Sequence, residues 1–108
     1  MPQIKIKGID KDTVKGFSKS MVDDLSSIID CPRDHLVIEC QDVISIFDGE
    51  EIAVYPFIEV AWFDRGLEVQ DKVSECIFKY LEKAKIEEAE LAFLTFKERN
   101  YYYNGKHF

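Results

Sequence analysis

The chain has 108 residues, a length suited to one domain over 1–108, with two similar halves at about 1–50 and 51–108. Apolar residues make up 46%, enough for a packed core, which excludes a disordered chain. A formal net charge of −7 repels phosphate backbones and anionic lipid, so neither nucleic acid nor a membrane is an expected partner.

In chain order, Ile4 and Ile6 alternate with Gln3, Lys5 and Lys7, the period of a strand with one buried face. Gly8 ends it and Asp10 offers a helix N-cap. Val14, Phe17, Met21, Leu25 and Ile28 then recur at three- and four-residue steps, the apolar stripe of an amphipathic helix. Pro32 stops that helix and biases Cys31 away from helical angles.

Leu36 to Cys40 reads as a second strand. Ile44 to Phe47 and Ile52 to Tyr55 flank Asp48-Gly49, a hairpin signal. Pro56 belongs at a bulge or an unpaired edge. Phe57 to Phe63 is almost continuously apolar, the pattern of a strand covered on both faces. Gly66 breaks it, and a second helix buries Val69, Val73, Ile77, Tyr80 or Leu81, and Ala84. Glu87 to Glu90 reads as a solvated loop, and Leu91 to Phe96 as another strand apolar on both faces. The tail from Tyr101 to Phe108 is aromatic around a second turn signal, Asn104-Gly105.

This order writes a β-α-β unit twice. Each crossover is long enough for a parallel pair with a right-handed helical connection. The expected class is α+β: a four-stranded mixed sheet, two helices on one face, and short hairpin strands. The two strands that are apolar on both faces need cover on the second face, and self-association is the simplest source.

Met1-Pro2 at the head of an alternating strand, a first helix ending near Pro32, and a last strand running into a short aromatic tail resemble the tautomerase superfamily. That superfamily includes macrophage migration inhibitory factor, oxalocrotonate tautomerase and carboxymethyl-hydroxymuconate isomerase. The run from Tyr55 to Gly66 is similar to an uncharacterised bacterial branch of it. The resemblance implies a homotrimer with helices outside. It also implies catalysis without a cofactor, with Pro2 acting on a small unsaturated keto or hydroxy acid. Other family positions differ. The lysine that migration inhibitory factor carries beside the helix-ending proline is Cys31 here, with Arg33 close by. Its last-strand tyrosine and asparagine align with Ala92 and Leu94, and the arginine of oxalocrotonate tautomerase aligns with Val37. Only Pro2 matches residue by residue.

Removal of Met1 would leave Pro2 with a secondary amine, whose reference pKa as an α-amino group is roughly 7.7 to 8.0. An apolar pocket or a nearby cation lowers that value. The neutral amine can then take a proton from carbon next to a carbonyl and return it elsewhere. With Met1 retained the nitrogen is a tertiary amide and has no basic lone pair. Lys5 and Lys7 are candidates for the nearby cation, or simply members of a solvated strand face.

Glu59 is a charge in the middle of an apolar strand, and Arg65 follows at that strand's end. Either Arg65 clamps a substrate carboxylate while Glu59 orients it or tunes Pro2, or the two form a salt bridge within or between subunits. Trp62 is either a pocket wall against substrate or a packing residue in a core or interface. His35 and His107 are isolated and lack metal-ligand spacing, so no metal is expected. Cys31, Cys40 and Cys76 form no CxxC pair and are expected to be reduced, mostly buried thiols. No apolar run is long enough to span a membrane and no secretion signal opens the chain, so the expected location is cytoplasmic. Two functions remain open: a small tautomerase or isomerase, or a non-catalytic trimer of the same fold that binds a small carboxylate or a protein.

Overall fold

Residues 2–108 are described by a computed structural model. Strand β1 (Gln3–Lys7) leads through Gly8 into helix α1 (Lys11–Ile29) and then strand β2 (Val37–Gln41). A hairpin of β3 (Ser45–Phe47) and β4 (Glu50–Ile52) precedes β5 (Phe57–Trp62), helix α2 (Leu67–Lys83) and β6 (Glu90–Thr95). The chain finishes in a small hairpin, β7 (Tyr102–Tyr103) and β8 (Lys106–His107). Strand β2 begins and ends one residue later than its apolar run suggests, and Glu90 opens β6 rather than closing a loop.

The main sheet has the order β2-β1-β5-β6. Its outer pairs, β1 with β2 and β5 with β6, are parallel, and each is bridged by a helix. The central pair, β1 with β5, is antiparallel, with Lys5 opposite Glu59. The sheet is therefore mixed, and the two β-α-β units meet at its centre, the α+β arrangement expected from the order of elements.

Alternation along the strands decides the core. Ile4, Ile6, Ile58, Val60 and Trp62 are buried beneath the helices. Helix α1 covers them with Val14, Phe17, Met21, Leu25 and Ile29, and α2 with Val73, Cys76, Ile77, Tyr80 and Leu81. At the end of α1 the buried residue is Ile29 rather than Ile28, which is half-buried at the core's margin. A 3.6-residue period places both at the edge of the stripe after four turns. Asp10 caps α1 by accepting the Asp12 N–H at 3.1 Å. At the other end Asp30 turns left-handed, its N–H donating to Ser26 O, and the Ser26 hydroxyl holds the Cys31 carbonyl at 2.6 Å.

The opposite face of the sheet is less apolar than the strand sequences suggest. Glu59 stands there beside Lys5, and Lys5 is also paired in register with Glu39, so a row of alternating charge crosses the face. Ala61 is buried, but Leu94 and Val37 are more than half exposed. The β3–β4 hairpin turns at Asp48 and Gly49, both at positive φ, as its Asp-Gly signal requires. It stands clear of the core, with Ile44, Ile46 and Phe47 each about 70% exposed. Pro56 lies just outside β5, where its missing N–H breaks no ladder bond, and its carbonyl accepts the Glu90 N–H at 3.1 Å. Gly8, at φ +81°, lies against this bend so closely that a Cβ would sit 2.7 Å from Tyr55 and Pro56 backbone atoms.

Candidate active site at the Pro2 end of the sheet

Pro2 immediately precedes Gln3, which is paired with Val37 on one side and Ala61 on the other. Continuing the register by one residue places Pro2 between Leu36 and Trp62. Alternation puts it on the helix side with Ile4 and Ile6, and it is fully buried. The last turn of β5 thus delivers an aromatic side chain to the N-terminal end of β1.

Trp62 is also fully buried, its ring centroid 5.0 Å from that of Phe93. Among the described residues its indole Nε1–H has no hydrogen-bond partner. The guanidinium of Arg65 stands over the indole, its carbon 6.0 Å from the ring centroid. Arg65 is half-buried, and its Nη1 donates to the Phe63 carbonyl at 2.7 Å. Asp64 shapes this corner by accepting the Gly66 N–H at 2.8 Å, so it caps the loop and leaves the N-cap position of α2 to Gly66.

Cys31, just after α1, lies within range of the Arg65 charge. Burial pushes its thiol above the usual range, and the positive charge of Arg65 opposes that shift. Arg33 was the nearer cation in sequence, but it is drawn away to Asp23 on α1 by a 2.6 Å ion pair. Lys5 and Lys7 lie on the opposite face of the sheet from Pro2, and the Lys7 ammonium sits 5.6 Å from the Phe57 ring centroid. The cation that stands over Trp62, and whose charge reaches Cys31, is Arg65.

The structure brings Arg65 over Trp62, one register step beyond the Gln3–Ala61 pair that follows Pro2, but separates Glu59 from them. Glu59 is three residues before Trp62, so it points to the other face. Among the described residues the ion pairs are Arg33–Asp23, Lys72–Glu68 and Lys79–Asp24, and none joins Glu59 to Arg65 within the chain. A six-residue spacing suggested contact, but the intervening end of β5 and the turn at Asp64 redirect Arg65.

The sequence matches a family profile over residues 1–107, described as a domain of unknown function, DUF1904. The chain belongs to the DUF1904 family. A DUF1904 crystal structure from Sebaldella termitidis is 34% identical, with each chain covered in full and a TM-score of 0.88. The fold extends further. A macrophage migration inhibitory factor-like protein from Entamoeba histolytica is 20% identical over 99% of this chain and 98% of its own, with a TM-score of 0.71. A fused 4-OT protein described as an asymmetric trimer is 10% identical over 97% of this chain and 94% of its own, with a TM-score of 0.72. The DUF1904 chain therefore carries the tautomerase fold. No curated protein matches its sequence.

Elsewhere in this DUF1904 chain the polar groups hold the fold together. The Tyr80 hydroxyl donates to Asp24 at 2.5 Å across the seam between α2 and α1, and Lys79 reaches the same carboxylate at 3.0 Å. Cys76 is buried and Cys31 half-buried, but Cys40, on the edge strand β2, is exposed, contrary to the expectation of mostly buried thiols. A cavity of about 510 Å³ lies between the end of α2 and the start of β6, lined by Tyr55, Phe78, Leu81 and Ile86, away from the Pro2 cluster. The aromatic tail folds back on its own chain, with Tyr101 and Phe108 within 5.7 Å of the Phe63 ring. Among the described residues no helix is long and apolar enough to cross a membrane.

Proposed function

We propose that this DUF1904 chain is a cofactor-independent keto–enol tautomerase of a small unsaturated keto or hydroxy acid, working in the cytoplasm with Pro2 as its acid–base group. The observation that carries this reading is the full burial of Pro2 at the head of β1 and of Trp62 at the end of the neighbouring β5, with Arg65 standing over the indole. Removal of Met1 frees the Pro2 nitrogen. Apolar surroundings and a guanidinium both disfavour its protonated form, which keeps the amine neutral near physiological pH. Arg65 holds the substrate carboxylate, the neutral amine takes a proton from the carbon beside the carbonyl, and the resulting ammonium returns it at the other end of the enol. Glu59 and Lys5 belong, on this reading, to the face that packs between subunits rather than to the pocket.

A homotrimer is part of the proposal. The exposed Ile44, Ile46 and Phe47 of the hairpin support it, as does the description of the fused 4-OT relative as a trimer. A second reading keeps the fold and the carboxylate site but not the chemistry. It is favoured by Ala92 and Leu94, which are apolar at the two positions where migration inhibitory factor carries a tyrosine and an asparagine.

Intact mass and one assay separate the two. Untagged protein that has lost Met1 and ketonises phenylenolpyruvate, with activity abolished in Pro2→Ala, supports the enzyme. Retained Met1, or a Pro2→Ala rate equal to wild type, leaves the binding protein.

A further inference from the structure

A buried N–H without a partner is a rare feature. Leaving a donor unsatisfied in a protein interior is costly, and most such groups find a carbonyl, a hydroxyl or a water. Trp62 Nε1 is the one buried side-chain nitrogen or oxygen without a partner among the described residues. It occurs on the residue that follows Ala61, the partner of Gln3, and directly beneath Arg65. A phenylalanine would keep an aromatic contact with Phe93 without the unsatisfied donor.

We propose that the Trp62 indole N–H is the oxygen-binding donor of this site, reserved for the carbonyl or enolate oxygen of a 2-oxo acid whose carboxylate is held by Arg65. This rests on the placement of the site proposed above. Among the described residues Arg65 makes one hydrogen bond, to the Phe63 carbonyl, and its remaining N–H groups are free. Trp62 is fully buried and Arg65 only half-buried, so the proposal requires Arg65 to exchange the Phe63 carbonyl for the ligand carboxylate and move off the indole. A 2-oxo acid carries its two polar groups on adjacent carbons, which matches a cation and a neutral donor stacked one over the other. The arrangement also suits the chemistry. When the proton leaves the neighbouring carbon for Pro2, negative charge gathers on the oxo oxygen, and a fixed donor in a dry site stabilises that charge more than the neutral carbonyl. A neutral indole can do this without being a competing acid.

The chain has one tryptophan, so its indole gives one ¹H–¹⁵N resonance and the experiment reads a single site. Labelled protein is titrated with phenylpyruvate and, separately, with 3-phenylpropanoate, which keeps the ring and carboxylate but lacks the oxo oxygen. The indole proton is expected to move downfield with phenylpyruvate and to stay in place with 3-phenylpropanoate. Trp62→Phe should bind phenylpyruvate about five- to tenfold more weakly, the loss of one hydrogen bond, while its affinity for 3-phenylpropanoate is unchanged. An indole resonance that ignores saturating phenylpyruvate, equal responses to the two acids, or no binding of either, overturns the proposal. The wild-type titration needs no variant to fold. The outcomes also separate this inference from the catalytic reading. A downfield shift in protein that does not turn over leaves the donor in place and removes the tautomerase. Turnover lost in Pro2→Ala with a silent indole does the reverse.

Discussion

The hydroxyl of Tyr80 on α2 donates to the carboxylate of Asp24 on α1 at 2.5 Å, joining helices whose partners lie 56 positions apart in the chain. The bond holds both groups in their ordinary charge states over a wider pH range. It pushes the Tyr80 phenol from 10.0 up to about 12, with burial adding to the effect. It also holds Asp24 below its ordinary 3.8, with Lys79 assisting.

The sign of the pH dependence follows. Tyr80 is raised, so its contribution to stability is full below pH 10.0 and is lost as pH climbs through about 12. Asp24 is lowered, so its contribution is full above 3.8 and is lost as pH falls through its folded value. Urea midpoints of wild type and Tyr80→Phe should therefore differ most at neutral pH and converge at both extremes. In an absorbance titration of the folded protein one phenol should ionise near 12 and be missing from the variant. A constant gap in midpoint across the whole range would show that the bond contributes nothing.

Gly8→Ala should destabilise the protein strongly. The residue sits at φ +81° and an added Cβ would meet Tyr55 and Pro56 backbone atoms at 2.7 Å, atoms that cannot rotate aside. A loss of about 2 kcal/mol or more in a chemical melt is expected, from steric displacement added to left-handed strain. Gly16→Ala, in α1 with open space around it, is the control and should be neutral or mildly stabilising.

Leu25→Ala removes a fully buried side chain from the centre of α1's contact with the sheet. The cavity left behind should cost about 2–5 kcal/mol in unfolding free energy, measured by urea denaturation. Ile28→Ala, half-buried one turn on, should cost clearly less. Equal losses would mean that the final turn of α1 packs differently.

Phe47→Asp places a charge on the exposed hairpin, where Phe47 is 70% accessible in the single chain. If this hairpin packs against a neighbouring subunit, sedimentation should show a trimer for wild type and smaller species for the variant, while the melting behaviour of the dilute chain changes little. A wild-type monomer at micromolar concentration would remove the trimer from the proposal.

The sequence by itself determined the elements and their order. Ile4 and Ile6 alternate, Val14 to Leu25 recur at helical steps, and Asp48-Gly49 and Asn104-Gly105 turn at positive φ. These are local signals, carried by side-chain spacing and by residues that tolerate unusual dihedrals. The doubled β-α-β order made the four-stranded sheet legible, because parallel pairing across a helical crossover allows few arrangements. Pro2 and Trp62 were both visible as candidates, yet nothing local places one beside the other.

That relation, and most of what surrounds it, was decided by tertiary structure. The antiparallel register of β1 and β5 pairs Gln3 with Ala61, which brings the positions of Pro2 and Trp62 opposite one another when continued by one residue, and it sends Glu59 to the opposite face. Asp23 takes Arg33 away from Cys31, and a turn 34 residues further along the chain supplies Arg65 in its place. The unsatisfied indole N–H has no sequence signature, since whether a donor finds a partner depends on every chain segment packed around it. Spacing along one strand or helix reports which side chains share a face. Which faces meet, and which polar groups are left facing each other there, is fixed only when strands distant in sequence choose their register.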